Sequence, residues 1–182
     1  MSWSDSLVGM VARASRPPRI RTDARTGPER ALQDGVRAGI DFLELGQHAD
    51  GSLLGFVLPA GASTSWITAH VAFVLEGVPG CERLVTGCAE YLRSTGEEDG
   101  GWGYSRLVGI DLDSTAQASM VLAATHQPVP SAAVEWMIQA ESPAGGFTIH
   151  PPRGTPLDAG YRWQMPHPEV TLLVCECLER MG

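Results

Sequence analysis

The sequence contains no lysine, and all 13 of its basic residues are arginine. A chain without lysine cannot form a lysine Schiff base, so pyridoxal-phosphate chemistry is excluded. The sequence also lacks any run of about 18 apolar residues, and we therefore expect no membrane-spanning helix. P-loop, dinucleotide-binding and G-x-S-x-G hydrolase patterns are absent as well.

Cysteine is scarce, and no two cysteines form a C-x-x-C pair. We therefore predict no metal site of the structural zinc type. Cys88, Cys175 and Cys177 lie in apolar helical runs, where buried free thiols are common. Near the start of the chain an acid precedes a short apolar run and arginines follow it, which is the wrong order for a secretory signal. We expect a cytoplasmic protein with reduced thiols.

The charge is divided unevenly along the chain. Residues 1–37 hold seven arginines against four acids, a net charge of +3, whereas residues 38–182 hold six arginines against 17 acids, a net charge of −11. An acidic body repels phosphates, so we do not expect nucleic-acid binding. The Pro-, Ser- and Arg-rich start predicts a mobile basic arm over residues 1–30, followed by a single domain over residues 31–182.

Three segments of the chain repeat one pattern, over residues 34–78, 84–125 and 132–181. In each copy an aromatic residue stands nine positions before a glycine, and a large apolar residue stands two positions after it. The glycines are Gly51, Gly100 and Gly145, followed by Leu53, Trp102 and Phe147. A second, more apolar segment follows in each copy, with a threonine seven residues before a leucine. These threonines are Thr68, Thr115 and Thr171.

The apolar spacing in both segments is helical. The first segment of each copy is amphipathic and the second is apolar nearly all round, so the second helix should be the inner, buried one. Helix, Gly-rich turn and helix, repeated three times, predict an all-α fold of three helical hairpins that form part of an α/α toroid.

These residues resemble the repeat superfamily of terpene cyclases and prenyltransferases, over roughly residues 34–181. The family carries a Q-x-x-x-G-x-W turn, of which each copy here keeps a part. The matching pairs are Gln47 and Gly51, Gly100 and Trp102, and Gly145 and Phe147. The resemblance implies half of a terpene-cyclase α/α barrel, so a second copy in a homodimer, or a second cyclase-like domain in trans, would complete the cavity.

Class II cyclases of this family also carry a D-x-D-D motif, often followed by Thr-Ala. The matching stretch here runs from Asp111 through Asp113 and Ser114 to Thr115 and Ala116. In the family the middle aspartate protonates an alkene or epoxide and starts a carbocation cascade. The resemblance implies that Asp113 is this acid and Asp111 its supporting neighbour, while Ser114 replaces the last aspartate.

The local sequence also allows a structural interpretation of Asp113. Aspartate is a favoured helix N-cap, and Asp113 directly precedes an apolar helical run. The positive end of the helix dipole favours the carboxylate anion, which opposes an acid that must hold a proton. Against this, Asp111 is a like charge close by, which can raise the pKa of one of the two carboxyls. Cap and general acid are both open at this point.

The repeat aligns Trp66 and Glu169 with Asp113, so we expect them at one end of a cavity, where an aromatic face would stabilise a cation. Each also has a plain structural interpretation, Trp66 as core and Glu169 as a first-turn helix acid. His167 aligns with Asp111 and would hold or pass a proton, unless it is a surface loop residue. Trp102 belongs to the turn motif, which favours a structural role over substrate contact.

A long Pro-rich loop over residues 147–168 contains Tyr161, Arg162 and Trp163. Loops of this length are often functional lids. We expect these side chains, with Thr115, to contact a hydrophobic substrate, and Arg162 to meet a diphosphate if the substrate has one. Packing over the inner helices is the alternative.

The sequence thus predicts an acid-initiated cyclase or isomerase of a polyene, isoprenoid or polyketide-like substrate. No cofactor is expected, and Mg²⁺ enters only if the substrate is a diphosphate. The alternatives are a non-catalytic repeat module that binds a hydrophobic ligand or a partner protein, and a zinc-dependent prenyltransferase-like enzyme.

Overall fold

The computed structural model describes residues 27–59, 61–97, 100–105, 107–143, 145–150 and 165–182. The chain divides into two compact units, Met1–Gln47 and His48–Gly182. In the first unit the described structure is helix α1, which begins before residue 31. The predicted division into an arm over 1–30 and a domain over 31–182 stays a prediction.

Six helices and a two-stranded sheet are present in the described residues. The helices are α1 (Pro28–Gly46), α2 (Ser65–Val74), α3 (Glu82–Thr95), α4 (Leu112–Ala124), α5 (Ser131–Gln139) and α6 (Pro168–Met181). Helices α1 and α6 carry proline in their first turn, where its missing N–H costs no intrahelical bond. The predicted all-α class is confirmed. The sheet was not predicted; it is a short hairpin of β1 (Val57–Leu58) and β2 (Gly61–Ala62) before α2.

Helix α4 lies at the centre of the second unit. It packs against α2, α3, α5 and α6, and ten of its 13 residues are buried. The core between α4, α5 and α6 is formed by apolar side chains that include Leu112, Met120, Met137, Phe147 and Val174. An apolar surface all round one helix requires partners on every side, so the prediction that the second helix of a copy is the inner one is confirmed for α4.

The Gly-rich turns have the same backbone geometry in all three copies. The glycines Gly51, Gly100 and Gly145 have φ of 88°, 83° and 84°, a left-handed conformation that glycine adopts without steric cost. Each donates its N–H to the carbonyl three residues earlier, of His48, Glu97 and Ser142 respectively, at 2.8–2.9 Å. Equal geometry at these sites supports the three-copy repeat.

The repeated threonines join each turn to its inner helix. The hydroxyl oxygens of Thr68, Thr115 and Thr171 accept hydrogen bonds from the backbone N–H of the residue two positions after the turn glycine. These donors are Leu53 (2.9 Å), Trp102 (3.0 Å) and Phe147 (2.9 Å). The turn and the threonine of each copy are therefore one physical unit, in which a side-chain hydroxyl satisfies a backbone donor of the turn.

Cysteine placement follows the apolar pattern in part. Cys88 and Cys177 are buried, but Cys175 is exposed on α6 because it points away from the buried face that carries Val174 and Cys177. None of the helices in the described part of the chain combines the length and the apolar character needed to cross a membrane.

Candidate functional site

Asp111, not Asp113, is the N-cap of α4. Its Oδ1 accepts the backbone N–H of Ser114 at 2.7 Å, and its backbone is extended, as at an N-cap. Its Oδ2 accepts the Ser114 hydroxyl at 3.0 Å and the N–H of Tyr104 at 2.7 Å. The cap interpretation of Asp113 is therefore wrong by two residues, because the chain turns into the helix at Leu112.

The Asp111 carboxyl is 3% exposed. Burial raises the pKa of Asp111 to about 7, since the charged form loses its hydration; the negative charge of Asp113 adds to the rise, and the hydrogen bonds from Ser114 and Tyr104 oppose it. Near neutral pH this carboxyl therefore exchanges between its acid and carboxylate forms. Because the residue is buried and both carboxyl oxygens accept hydrogen bonds, Asp111 has no open side.

Asp113 lies in the first turn of α4 and is only partly buried. The indole Nε1–H of Trp66 on α2 donates to its Oδ2 at 2.7 Å. The side-chain Nε2–H of Gln117, one turn further along α4, donates to its Oδ1. Both oxygens thus have a donor, and the carboxylate still has an accessible side.

A chain of side-chain contacts leads from Asp113 through Gln117 to His70. The Gln117 Oε1 lies 2.9 Å from His70 Nδ1, and the His70 ring stacks on Trp66 with centroids 5.2 Å apart and planes at 4°. Trp66 and His70 stand one turn apart on α2, as Asp113 and Gln117 do on α4. The four side chains form a closed ring of contacts between the two inner helices.

Two more aromatic rings extend this site. Phe56 lies edge-on to Trp66 at 5.8 Å and tilted against Tyr104 at 5.7 Å. The Tyr104 hydroxyl donates to the Phe56 carbonyl at 2.8 Å, which holds the two loops together. Phe56 is 54% exposed, so the aromatic cluster faces outward beside Asp113.

Glu169 and His167 lie at the start of α6. His167 is the N-cap of this helix, as Asp111 is of α4, but its side chain makes no capping bond. Its Nδ1 lies 3.7 Å from Glu169 Oε1, and the Glu169 side chain is 71% exposed. The structure therefore brings Trp66 to Asp113 and places Glu169 beside His167. The catalytic roles of Glu169 and His167 stay predictions.

Thr115 and Trp102 lie inside the fold. Thr115 is 0% exposed, and its hydroxyl accepts from the Trp102 N–H and donates to the Trp102 carbonyl. Trp102 is 2% exposed, and its indole N–H donates to the Leu92 carbonyl at 2.9 Å. These placements give both residues structural contacts within the second repeat. Trp102 also lines a pocket of about 370 Å³ between the ends of α3 and α5, beside Arg93 and Pro130.

Tyr161, Arg162 and Trp163 lie outside the described residues, and their predicted contact with substrate stays a prediction. Among the residues that the structure describes, no three His, Cys, Asp or Glu side chains are grouped so as to hold a metal ion.

Sequence reasoning missed four members of the site: Phe56, His70, Tyr104 and Gln117. A signal for two of them was present. Trp66 and Asp113 are 47 residues apart, and so are His70 and Gln117, which is also the spacing of the repeat threonines Thr68 and Thr115. Polar residues that recur at the repeat spacing on neighbouring inner helices are candidates for direct contact.

Solved structures of type II terpene cyclases share this fold. The apo structure of type II terpene cyclase MstE from Scytonema is 22% identical, with a TM-score of 0.68 over 81% of this chain and 46% of that one. An Asp→Asn variant of MstE in complex with geranylgeranyl dihydroxybenzoate, its substrate, is 20% identical, with a TM-score of 0.70 over 82% of this chain and 49% of that one. A protein from Actinoplanes is 24% identical, with a TM-score of 0.58 over 79% of this chain and 40% of that one.

No protein-family model and no curated protein matches the chain. The structural likeness gives the chain a terpene cyclase-like fold. The chain spans about half the length of the structures that it matches.

Proposed function

We propose that this protein is an acid-initiated cyclase or isomerase of a hydrophobic polyene, with Asp113 as the general acid. The observation that carries the proposal is the position of Asp113, which is accessible beside an outward-facing aromatic cluster. In the reaction the Asp113 O–H bond breaks, a C–H bond forms at a substrate alkene, and the new cation is attacked by the next alkene. Loss of a proton at the end leaves the mass of the substrate unchanged.

The surroundings of Asp113 support this role. Trp66 contacts the carboxyl, and Phe56 and Tyr104 extend the aromatic cluster from Trp66. An aromatic face stabilises a nearby cation. Charge that develops against fixed aromatic groups needs no reorganisation of solvent. The reaction needs no cofactor, and Mg²⁺ takes part only if the substrate carries a diphosphate.

Asp111 is the supporting residue in this proposal. Its burial and its three protein donors leave it no route to a substrate, so it does not deliver the proton itself. In its protonated form it places no negative charge beside Asp113. In both of its forms it fixes the start of α4 and therefore the direction of Asp113.

The substrate is proposed from the fold and the site together. Structural neighbours include a complex of MstE with geranylgeranyl dihydroxybenzoate, and we propose a prenylated or otherwise polyunsaturated chain here as well. Since this chain spans about half of those structures, a second copy in a homodimer, or a second cyclase-like domain, is proposed to close the cavity over Asp113.

The experiment is incubation of the wild type and Asp113→Asn with geranylgeranyl dihydroxybenzoate, linear prenyl diphosphates, squalene and polyene acids. Products are separated by chromatography and weighed by mass spectrometry. We expect the wild type to form cyclised isomers of unchanged mass and Asp113→Asn to lose about 100-fold or more of the rate, since an amide cannot protonate an alkene.

Gln139→Asn on the exposed face of α5 is the matched control and should turn over like the wild type. Equal rates of product formation by the wild type and Asp113→Asn, with both folded, would exclude Asp113 as the acid.

A second candidate function is a non-catalytic module that binds a hydrophobic ligand or a partner protein. The observation that favours it is a set of exposed apolar side chains around the β1–β2 hairpin. These are Phe56 (54%), Val57 (52%), Leu58 (44%) and Leu107 (82%). Binding of a ligand from the panel that is equal in the wild type and Asp113→Asn, without turnover, would favour this function.

A further inference from the structure

The amide of Gln117 lies between Asp113 and His70 and contacts both. Its Nε2–H donates to Asp113 Oδ1, so its Oε1 is the atom that faces His70 Nδ1 at 2.9 Å. An amide oxygen accepts hydrogen bonds and does not donate them, which means that His70 Nδ1 carries the hydrogen in this arrangement. Asp113 accepts on both oxygens, from Gln117 and from Trp66. The observed arrangement is therefore that of an Asp113 carboxylate.

A protonated Asp113 needs a different arrangement. The Trp66 indole is a donor only, so the Asp113 oxygen that faces it must stay an acceptor. The hydroxyl of the acid form is then the oxygen that faces Gln117. If Nε2–H still pointed at it, Gln117 would donate to a neutral hydroxyl oxygen, which is a weaker acceptor than a carboxylate oxygen, and would offer the hydroxyl hydrogen no acceptor. A half turn of the amide supplies that acceptor, since Oε1 then accepts from Asp113 and Nε2–H donates to a bare His70 Nδ1.

We propose that Gln117 and His70 are the positioning residues that let Asp113 hold its proton, by turning the Gln117 amide and moving the ring hydrogen of His70 from Nδ1 to Nε2. This inference rests on the proposed function of Asp113. One proton passes from solvent to Asp113 Oδ1, and the two ring nitrogens of His70 exchange a hydrogen through solvent. When a substrate is present, rotation about the Cγ–Oδ1 bond turns the hydroxyl hydrogen from Gln117 to the alkene, which takes the proton. The amide then turns back, and the His70 ring hydrogen returns to Nδ1 by exchange with solvent.

The burial of the three groups fits this role. Gln117 is 1% exposed, so each of its amide atoms must find a partner within the protein. His70 is exposed, and solvent reaches its ring for hydrogen exchange. Trp66 stacks on His70 and binds Asp113, so it fixes the two residues that the Gln117 amide contacts. Asp111 is the further titratable group near this site, and the negative charge of Asp113 contributes to its raised pKa.

The test is ¹⁵N NMR of the His70 ring in a cycle of four proteins: the wild type, Asp113→Asn, Gln117→Leu and the double variant. In Asp113→Asn the side-chain oxygen must face Trp66, so the NH₂ group faces Gln117 and imitates the acid form. We expect the His70 Nδ1 resonance to move from the range of a protonated nitrogen to that of a bare one. The same change should vanish in the Gln117→Leu background.

An unchanged Nδ1 resonance in Asp113→Asn would overturn the proposal, and so would a change that persists without Gln117. If Gln117→Leu fails to fold, the comparison of the wild type with Asp113→Asn still decides, because it changes no buried apolar contact. Since no substrate is present, this result stands or falls separately from the proposed function.

Kinetics add a second measurement if turnover is found. His70→Phe keeps a ring that stacks on Trp66 but removes both ring nitrogens. We expect kcat to fall about tenfold or more, with KM within about twofold, because the orientation of the acid is lost while the cavity wall is kept. His48→Phe, at an exposed position, is the matched control. An unchanged kcat in His70→Phe would count against the proposal.

Discussion

Trp66 and Asp113 occupy equivalent positions in adjacent repeats, and the indole N–H of one donates to the carboxylate of the other at 2.7 Å. Because α2 and α4 pack side by side, a residue at one repeat position contacts the same position of the next repeat. The repeat therefore places an aromatic hydrogen-bond donor beside an acid. The contact joins the two inner helices at the point where the proposed chemistry begins.

Replacement of Trp66 by phenylalanine tests this contact. Phenylalanine keeps an aromatic ring but removes the donor to Asp113. A hydrogen bond to a charged group contributes about 1.5–3 kcal/mol. We therefore expect the rate of cyclisation to fall by roughly ten- to 100-fold. Steady-state kinetics on a panel substrate that the wild type converts measure this change. Trp136→Phe makes the same replacement on α5 and should leave the rate unaltered; equal losses in the two variants would point to general loss of aromatic packing.

The buried carboxyl of Asp111 predicts a dependence of stability on pH. Its pKa in the folded chain is about 7, against 3.8 for an exposed aspartate. Between these values the folded chain holds a proton that the unfolded chain releases. The free energy of unfolding therefore falls as the pH rises from about 4 to about 7, by up to roughly 4 kcal/mol from this group.

Asp111→Asn removes the titration, since an amide does not ionise, and its oxygen can still cap the helix. Because its NH₂ group then faces the donors of Ser114 and Tyr104, the slopes with pH are compared and not the absolute stabilities. We expect urea unfolding between pH 4 and pH 8 to show a smaller decline in stability for Asp111→Asn than for the wild type. Asp41→Asn on α1 is the control and should decline like the wild type. Parallel curves for the wild type and Asp111→Asn would contradict the raised pKa.

The hydroxyl of Thr115 is expected to stabilise the folded repeat. Thr115→Val keeps the shape of the side chain and removes both bonds to the Trp102 backbone, which leaves a buried N–H without its partner. We expect a loss of about 1–3 kcal/mol in the free energy of unfolding. Thr86→Val on the exposed side of α3 is the control, with an expected change within about 0.5 kcal/mol. Denaturant unfolding of both variants is the measurement.

Two turn glycines separate backbone strain from steric overlap. A Cβ at Gly51 would lie 2.0 Å from the carbonyl oxygen of Gly87, whereas a Cβ at Gly145 meets nothing within 4 Å among the residues that the structure describes. Both glycines have positive φ. We expect Gly145→Ala to cost about 1 kcal/mol from strain alone, and Gly51→Ala at least about 2 kcal/mol more. Similar melting temperatures for the two variants would show that the turn at Gly51 relaxes freely.

The sequence by itself determined the helical class and the three-copy pattern. Glycines at the turns, apolar residues at helical spacing and a threonine in each copy are local signals, and each acts through its own backbone or its own repeat. For the same reason the aspartate motif could be recognised from the sequence alone. Alignment of the repeat copies placed Trp66 at the position of Asp113. The hairpin at Val57–Leu58 gave no such signal, since two-residue strands are too short for periodicity.

Only the tertiary structure decided which aspartate caps the helix and which stays accessible. Two aspartates separated by one residue look alike in sequence. At the start of α4, however, the Asp111 side chain points inward and binds Ser114 and Tyr104, whereas the Asp113 side chain points to Trp66. The contact of Gln117 with His70 likewise depends on how α2 lies against α4. Burial and contacts between helices arise from packing of the whole unit, and no local pattern contains them.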